Sequence, residues 1–268
     1  MTRRRILNVS SEKKRDKMLP WTNSTGSSQQ GSTSYSLNPA VITGGSGDPA
    51  LFLWCATARD NTTSSANGKG TKFDMATRTA STCYMVGLSE KIEIQCSDGL
   101  PWQWRRVCFT AKAGSTLDRT VTLGTGFATA SETSSGWVRL LNQVLLTDRT
   151  AFYGLFFQGS QNVDWTDPMM AKVDTDRLTV KYDKTITLAS GNEDGFIRKY
   201  PRYHPMGKNL VYSDDESGGT VTTSSFSTQA RAGMGDYWVV DIFRPRAGSV
   251  QGNQLIFSTE STLYWHEK

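Results

Sequence analysis

The stretch TCYMVGLSEKIEIQC, residues 82–96, decides the fold class of this 268-residue chain. Its second half, residues 91–96, alternates polar and apolar side chains with a period of two, which is typical of a strand with one buried face. Gly87 predicts a kink within the strand. The stretch QWRRVCFTAKA, residues 103–113, alternates in the same way and predicts a second strand, with Trp104 and Arg106 on one face and Arg105 on the other.

Further strands are predicted where short apolar or alternating runs lie between turn residues. These runs cover residues 50–58, 152–158, 177–182, 185–189, 209–213, 237–244, 254–258 and 262–266. Asp183-Lys184 separates two of them and predicts a hairpin. One stretch has a helical period, with Ser134 or Ser135 available as its cap. Its apolar positions are Trp137, Leu140, Leu141, Val144 and Leu145. We therefore expect an all-β fold: a single jelly roll, that is a two-sheet antiparallel β-sandwich, with long loops and one short helix.

Residue types that support catalysis are sparse. The chain has two histidines: His266 lies two residues from the C-terminus, and His204 lies among tyrosines and prolines without a nucleophile motif nearby. The four cysteines form no CxxC pair and are predicted to be buried free thiols. We expect no enzymatic activity, no cofactor and no metal. A glycosidase-like carboxylate pair stays open, because such pairs meet only in three dimensions. The chain contains no apolar run that could span a membrane, so no membrane partner is expected.

The first seventeen residues, MTRRRILNVSSEKKRDK, carry a charge equal to that of the whole chain. They hold seven basic and two acidic residues, and the net charge of the chain is +5. A neutral body with a basic arm is a typical arrangement for a protein that binds a polyanion. The predicted phosphate contacts in this arm are Arg3, Arg4, Arg5, Lys13, Lys14, Arg15 and Lys17. The two basic clusters also resemble a nuclear-import motif.

Three regions follow from this pattern. Residues 1–17 are predicted as a basic N-terminal arm, residues 18–48 as a Ser/Gly-rich extended segment, and residues 49–268 as the folded domain.

A second cationic segment, RKYPRYHPMGK, covers residues 198–208. Its cations alternate with aromatic rings, and two prolines predict a stiff loop. Cations can pair with phosphates while an aromatic face stacks on an unpaired base, which is how single strands are bound. The predicted contacts are Arg198, Lys199, Tyr200, Arg202, Tyr203, His204 and Lys208. A surface loop with packed tyrosines, or a contact between subunits, is the alternative interpretation.

Four segments of the chain resemble the capsid proteins of genomoviruses, small circular single-stranded DNA viruses that are distantly similar to geminiviruses. They are TRRRILNVSSEKKRDKMLPW at 2–21, YDKTITLASGNEDGFIRKYPRYHPMGKNLVYSDDE at 182–216, AGMGDYWVVDIFRPR at 232–246 and STLYWHEK at 261–268. The resemblance implies a jelly-roll subunit that assembles with copies of itself into an icosahedral shell around single-stranded DNA. It implies that the basic arm lies inside the shell, and it supports a role for Arg198, Lys199 and Arg202.

The resemblance also implies a location in the virion and, during assembly, in the host nucleus, with host nuclear-import receptors as further partners. Proteins of this family begin with a longer arginine-rich stretch. About sixty copies, the simplest icosahedral (T=1) number, would carry about 300 positive charges on these arms, far fewer than the phosphates of a DNA of about a thousand nucleotides. We therefore expect a shortened form that assembles but packages DNA poorly.

Two other hypotheses remain open from sequence alone. One is a β-sandwich module that binds nucleic acid or glycan without assembling, and the other is a β-sandwich hydrolase with a carboxylate pair. The neutral body favours assembly, because strongly charged copies would repel one another.

Overall fold

The chain forms two antiparallel sheets that pack against each other. A computed structural model describes residues 9–26, 31–63, 68–112, 117, 127–144 and 146–268. The strands are β1 Glu12–Met18, β2 Pro20–Thr22, β3 Ala40–Thr43, β4 Ala50–Cys55, β5 Thr82–Cys96, β6 Trp102–Ala111, β7 Glu132–Thr133, β8 Gly136–Trp137, β9 Arg139–Leu141, β10 Thr179–Leu188, β11 Phe196–Val211, β12 Asp215–Ser217, β13 Thr220–Thr222, β14 Asp236–Pro245 and β15 Gln254–Glu267. A helix, α1, covers Leu146–Phe156.

The pairing of the eight main strands is nested. The first pairs with the last, β3 with β15; the second pairs with the seventh, β4 with β14. The third pairs with the sixth, β5 with β11, and the fourth with the fifth, β6 with β10. These pairs join into a five-stranded sheet, in which β1 and β3 share one edge of β15, and a four-stranded sheet of order β10-β6-β14-β4. The predicted all-β sandwich of antiparallel sheets is confirmed.

The core has two apolar layers because three strands of the four-stranded sheet, β4, β6 and β14, are buried on both faces. One face packs on the five-stranded sheet, where Trp104 and Phe243 meet Phe257. The other face packs on α1, where the ring of Phe109 lies 5.4 Å from that of Phe156. Double burial explains why β4 reads as a continuous apolar run. The five-stranded sheet has one free face, which explains the alternation in residues 91–96.

Four charged side chains are buried between the two sheets. Arg106 of β6 donates two hydrogen bonds to Asp241 of β14, at 2.7 and 2.9 Å, and one to Glu90 of β5, at 2.6 Å. Arg139 of β9 donates to the same two carboxylates, at 3.0 and 3.3 Å. All four residues are at most 2 % exposed. Burial alone would raise the pKa of Glu90, but the two guanidinium charges lower it to about 2. The charge balance is what makes this burial tolerable.

The predicted helix is wrong in position. Of the residues that the structure describes in it, 136–137 and 139–141 form β8 and β9; Leu145 lies outside the described residues. Side chains from Trp137 to Val144 are buried on every side, so their apolar spacing reflects a buried connection rather than one helical face. Residues 152–156, predicted as a strand, belong to α1. Their apolar character comes from packing on the four-stranded sheet.

A predicted hairpin and a predicted loop are also wrong. Asp183-Lys184 lies inside the continuous strand β10, where Arg105 holds the Asp183 carboxylate with two hydrogen bonds of 2.7 and 3.0 Å. The segment 198–208 is part of β11 and not a loop. β11 is an edge strand, and an edge strand accommodates Pro201 and Pro205 because one side of its backbone has no ladder partner. The predicted kink at Gly87 coincides with register shifts in the pairing of β5.

The regions predicted as an arm and a tether contribute strands to the sheets. β1 extends the five-stranded sheet by pairing with the C-terminal half of β15. The Lys14 Nζ donates to the backbone oxygens of Thr71, Asp74 and Thr77, at 3.2, 3.2 and 2.7 Å. It also lies 3.6 Å from the Glu267 carboxylate. Lys14 therefore closes this edge of the sheet from the inside.

We expect Lys14→Met to lower the free energy of unfolding by about 3 kcal/mol, because it leaves Glu267 and three carbonyls without their buried cation. Lys17→Met on the same strand removes an exposed charge and should change the free energy by less than about 0.5 kcal/mol. Urea unfolding followed by tryptophan fluorescence measures both. Equal effects of the two substitutions would show that Lys14 does not anchor β1.

Candidate nucleic-acid interface

The free face of the five-stranded sheet, here called the outer face, is the candidate site. Strand register fixes three rows of side chains across it. The first row joins Lys13, His266, Tyr84 and Asn209, because these residues are paired neighbours on β1, β15, β5 and β11. The second row joins Arg15, Tyr264, Gly87 and Pro205. The third joins Lys17, Thr262, Ser89 and Tyr203.

Each row begins with a cation on β1. Lys13, Arg15 and Lys17 are exposed, while the alternate residues of the strand point inward. Residues two apart on a strand lie about 6.6 Å from each other, which is close to one phosphate-to-phosphate step of an extended polynucleotide. The alternation of β1 thus sorts the basic cluster of the sequence into a surface ladder and the buried Lys14.

Aromatic rings follow the cations toward the middle of the sheet. The rings of Tyr84 and His266 lie 6.1 Å apart, and Tyr84 is 44 % exposed. Tyr203 is 54 % exposed and lies over Gly87, where a Cβ atom would be 2.6 Å from its hydroxyl. Glycine at this position makes room for the tyrosine on the sheet surface. Tyr203, Tyr264 and His266 then border one shallow depression.

Charges on the outer face favour an anion. Among the described residues, strand alternation directs five cations and two carboxylates to this face. The cations are Lys13, Arg15, Lys17, Lys91 and Lys199, and the carboxylates are Glu93 and Glu260. Lys199 lies 3.6 Å from Glu93, with both side chains at the surface. An ion pair so exposed is weak and exchanges readily with phosphate.

The structure divides the residues that the sequence predicted for this site. Lys13, Arg15, Lys17, Lys199 and Tyr203 lie on the outer face. Arg198, Arg202 and Lys208 pair in register with the inward-facing Ile94, Glu90 and Met85. They therefore lie on the core-facing side of the edge strand β11, where Arg198 and Lys208 are still exposed. There the Arg198 guanidinium donates to the Ala189 carbonyl at 2.8 Å, and that of Arg202 lies 5.7 Å from the Tyr200 ring centre. Arg3, Arg4 and Arg5 lie outside the described residues.

Three other predicted contacts are packed in the interior of the protein. Lys14 is 2 % exposed, as described above, and His204 is 4 % exposed. Tyr200 packs edge-on against Trp104 with ring centres 5.3 Å apart, so its ring is committed to the space between the sheets. These three side chains are corrected from surface contacts to structural ones. The sequence analysis predicted a loop at 198–208, in which all these side chains could be exposed. The segment is instead part of strand β11, whose side chains alternate between the inward and the outward side.

The site also contains residues that the sequence prediction missed. Tyr84, Tyr264 and His266 come from strands that the sequence identified, but their position beside the β1 cations depends on register. Tyr84 was detectable as a polar-ended aromatic residue on the face opposite Cys83. The sequence of residues 261–268 contains no pattern that predicts their pairing with β1.

His204 occupies a buried aromatic cage. Its ring lies 5.3 Å from the Tyr182 ring and 6.3 Å from the Tyr237 ring, and its Nε2 is 3.9 Å from the Cys108 Sγ. Burial lowers the pKa of His204 to about 4, and the charge of Arg106 acts in the same direction. All four cysteines are buried and form no disulfide, as the sequence predicted.

No known protein family matches this sequence, and no curated protein is significantly similar to it. Among the described residues, no helix is both long enough and apolar enough to cross a membrane. Histidine, cysteine and carboxylate side chains in the described part of the chain form no cluster of three that could hold a metal ion. The outer face is therefore interpreted from its own geometry.

Acid should destabilise the fold through His204. The unfolded chain takes up a proton near pH 6.5, whereas the folded chain takes it up near pH 4, so stability falls as the pH drops through this window. We expect a loss of about 3 kcal/mol from this group between pH 7 and pH 4. Urea unfolding at several pH values measures it. The substitution His204→Gln should flatten that slope, whereas His266→Gln, on the outer face, should change it less; parallel slopes for wild type and His204→Gln would refute this assignment.

Proposed function

We propose that this protein is a capsid subunit that assembles with copies of itself into an icosahedral shell and binds single-stranded DNA without sequence specificity. The proposal takes the sandwich to be a jelly roll. It rests on the strand topology, on the edges of the sheets and on the chemistry of the outer face. The resemblance of four sequence segments to genomovirus capsid proteins points the same way.

The nested pairing is the observation that carries the proposal. In a jelly roll, an antiparallel pair of chain halves is wrapped around the barrel axis, so strand one pairs with eight, two with seven, three with six and four with five. The pairs β3–β15, β4–β14, β5–β11 and β6–β10 follow this rule in full. Viral capsid domains are among the main users of this architecture.

The sheet edges favour contacts through loops and surfaces rather than through sheet extension. On the edge strand β11, Pro201 and Pro205 remove two backbone donors, and such prolines block pairing with a further strand. On β10, a register shift at Lys181 disturbs the opposite sheet edge in the same way. The edge of β4 is covered by residues 129–144, with Leu53 N donating to Asn142 O at 3.2 Å. A shell subunit needs edges of this kind, because open edges would give fibres instead of closed particles.

The outer face supports a contact with single-stranded DNA. Lys13, Arg15 and Lys17 form a line of cations, and Tyr203 and Tyr264 offer aromatic surface beside it. Phosphates paired with the cations would release counterions, which gives affinity without reading sequence. Bases splayed from the same strand would stack on the tyrosines. In a shell, this face and the preceding Arg3–Arg5 would face the interior.

Location follows from this function as a further part of the proposal: the virion, and the host nucleus during assembly. Nuclear-import receptors would bind the basic clusters of residues 3–5 and 13–15. In the folded subunit, Lys14 is withdrawn from the second cluster. Recognition by an import receptor would then rely on the residues before β1, with Lys13 and Arg15 as the exposed remainder.

Purified protein should form closed particles of megadalton mass, because the net charge of residues 9–268 is only +2, too small to keep copies apart. Size-exclusion chromatography and negative-stain electron microscopy test this directly. A species near the 29.6 kDa mass of one chain at every concentration would instead support the non-assembling binding module.

Replacing Lys13, Arg15 and Lys17 together by serine should weaken binding to a labelled oligo(dT) and flatten its salt dependence. The slope of log affinity against log salt is negative, and each lost phosphate contact reduces its magnitude by about 0.7. The loss of three contacts should therefore reduce its magnitude by about 2. The matched control replaces Lys172, Lys184 and Arg231, three exposed cations away from the outer face. Equal slopes for both triple variants would place the DNA elsewhere.

A further inference from the structure

Two charged features lie at opposite ends of the sandwich, and in the described part of the chain Arg246 of one and Asp215 and Glu216 of the other form no ion pair. One is a cleft of 720 Å³ beside the C-terminal end of β14, and the other is the hairpin β12–β13. Tyr212, which leads into the hairpin, donates to the carbonyl of Thr57, and Tyr237 at the start of β14 donates from its backbone N to the hydroxyl of Thr57. The hairpin base thus lies at the N-terminal end of β14, about 33 Å from the cleft along this ten-residue strand.

The hairpin is short, acidic and exposed. Every residue of β12 and β13 is exposed, and the two strands pair only with each other. Asp215 and Glu216 carry two negative charges just before a tip made of Ser217, Gly218 and Gly219. Gly218 has φ 59°, which allows a tight turn with no side chain at its apex. The Lys69 Nζ donates to the Val221 carbonyl of β13 at 2.9 Å, but it does not pair with Asp215 or Glu216. A two-stranded hairpin is only marginally stable in water, so a cationic partner surface would stabilise it further.

The cleft is open to solvent, several of its lining residues are glycines, and its charged lining residues are arginines. Glycines 45, 47 and 248 leave its rim without side chains, and Trp102, Pro101 and Pro245 form an apolar floor. Arg244 is paired with Asp167 and donates to Gln103 at 2.7 Å. Arg246 is exposed, and within the described residues its side chain makes no hydrogen bond or ion pair. The cleft therefore presents one uncommitted cation above a surface that fits a narrow tip.

We propose that the β12–β13 hairpin of one copy docks in the Arg246 cleft of the next copy. This rests on the proposed function, and it names the partner as a second copy and the contact as head-to-tail. Charge complementarity selects the occupant, because Asp215 and Glu216 would face Arg246 across the cleft. Since the two features lie at opposite ends of one molecule, the contact joins different surfaces, and such heterologous contacts close into rings. Rings of this kind surround the five-fold and three-fold axes of an icosahedral shell.

A charge swap tests the contact in the full chain. Glu216→Arg and Arg246→Glu should each reduce the assembled fraction at least tenfold, measured by sedimentation velocity. The double variant Glu216→Arg/Arg246→Glu should restore it, since the pair is regenerated with reversed charges. Glu193→Arg reverses an exposed carboxylate outside the hairpin and should leave assembly unchanged. Recovery in the double variant excludes misfolding as the cause of the single defects.

Crosslinking gives a second readout that does not depend on complete particles. The variant Ser217→Cys/Ala247→Cys should give a ladder of covalent oligomers on mild oxidation, while each single variant should not. The four native cysteines are buried and give no background. Particles that form normally in Glu216→Arg, or oxidation without a ladder, would overturn this contact and leave the shell proposal intact. A chain that stays monomeric and uncrosslinked at every concentration would overturn both.

Discussion

The two sheets depend on a balanced group of four charges buried between them. Glu90, Arg106, Asp241 and Arg139 belong to four different strands, β5, β6, β14 and β9, and each arginine contacts both carboxylates. Removing one member would leave a buried charge without its counterion, which is far more costly than the net value of the pairs. A group of this kind therefore specifies the position of one sheet relative to the other. The apolar layers around it would tolerate small shifts of one sheet along the other.

Arg139 connects this group to the rest of the chain. Its guanidinium also lies 4.2 Å from the Trp54 ring centre, and its strand β9 pairs in parallel with β2. Because β2 follows β1 after one residue, the ionic group fixes where the N-terminal segment approaches the five-stranded sheet. β1 then aligns with β15 and is held by Lys14. The cations of the outer face are therefore positioned by charges that are themselves inaccessible.

Charged side chains in the described structure form two separate sets, one in the interior and one on the outer face. Inside the sandwich, arginines and carboxylates are matched and set geometry; on the outer face, cations exceed carboxylates and remain available to a polyanion. Assembly, as proposed, uses a third set at the two ends of the sandwich, with an acidic hairpin and a basic cleft. Keeping these sets apart leaves residues 9–268 with 27 basic and 25 acidic residues, a net charge of only +2, while the outer face is still cationic.

The sequence by itself determined the all-β class and the bounds of β5, because a strand with one buried face alternates polar and apolar side chains with a period of two. It also located the basic cluster before residue 18. Only the tertiary structure decided which of those cations are exposed on the outer face. Lys14 points inward because β1 pairs with β15, which lies more than 240 residues away in the chain. The tertiary structure also decided the conformation of residues 137–144 and 198–208, which the sequence patterns predicted wrongly. Their patterns are local, but burial on every side and an edge position are properties of the assembled sheets, which no short window of sequence contains.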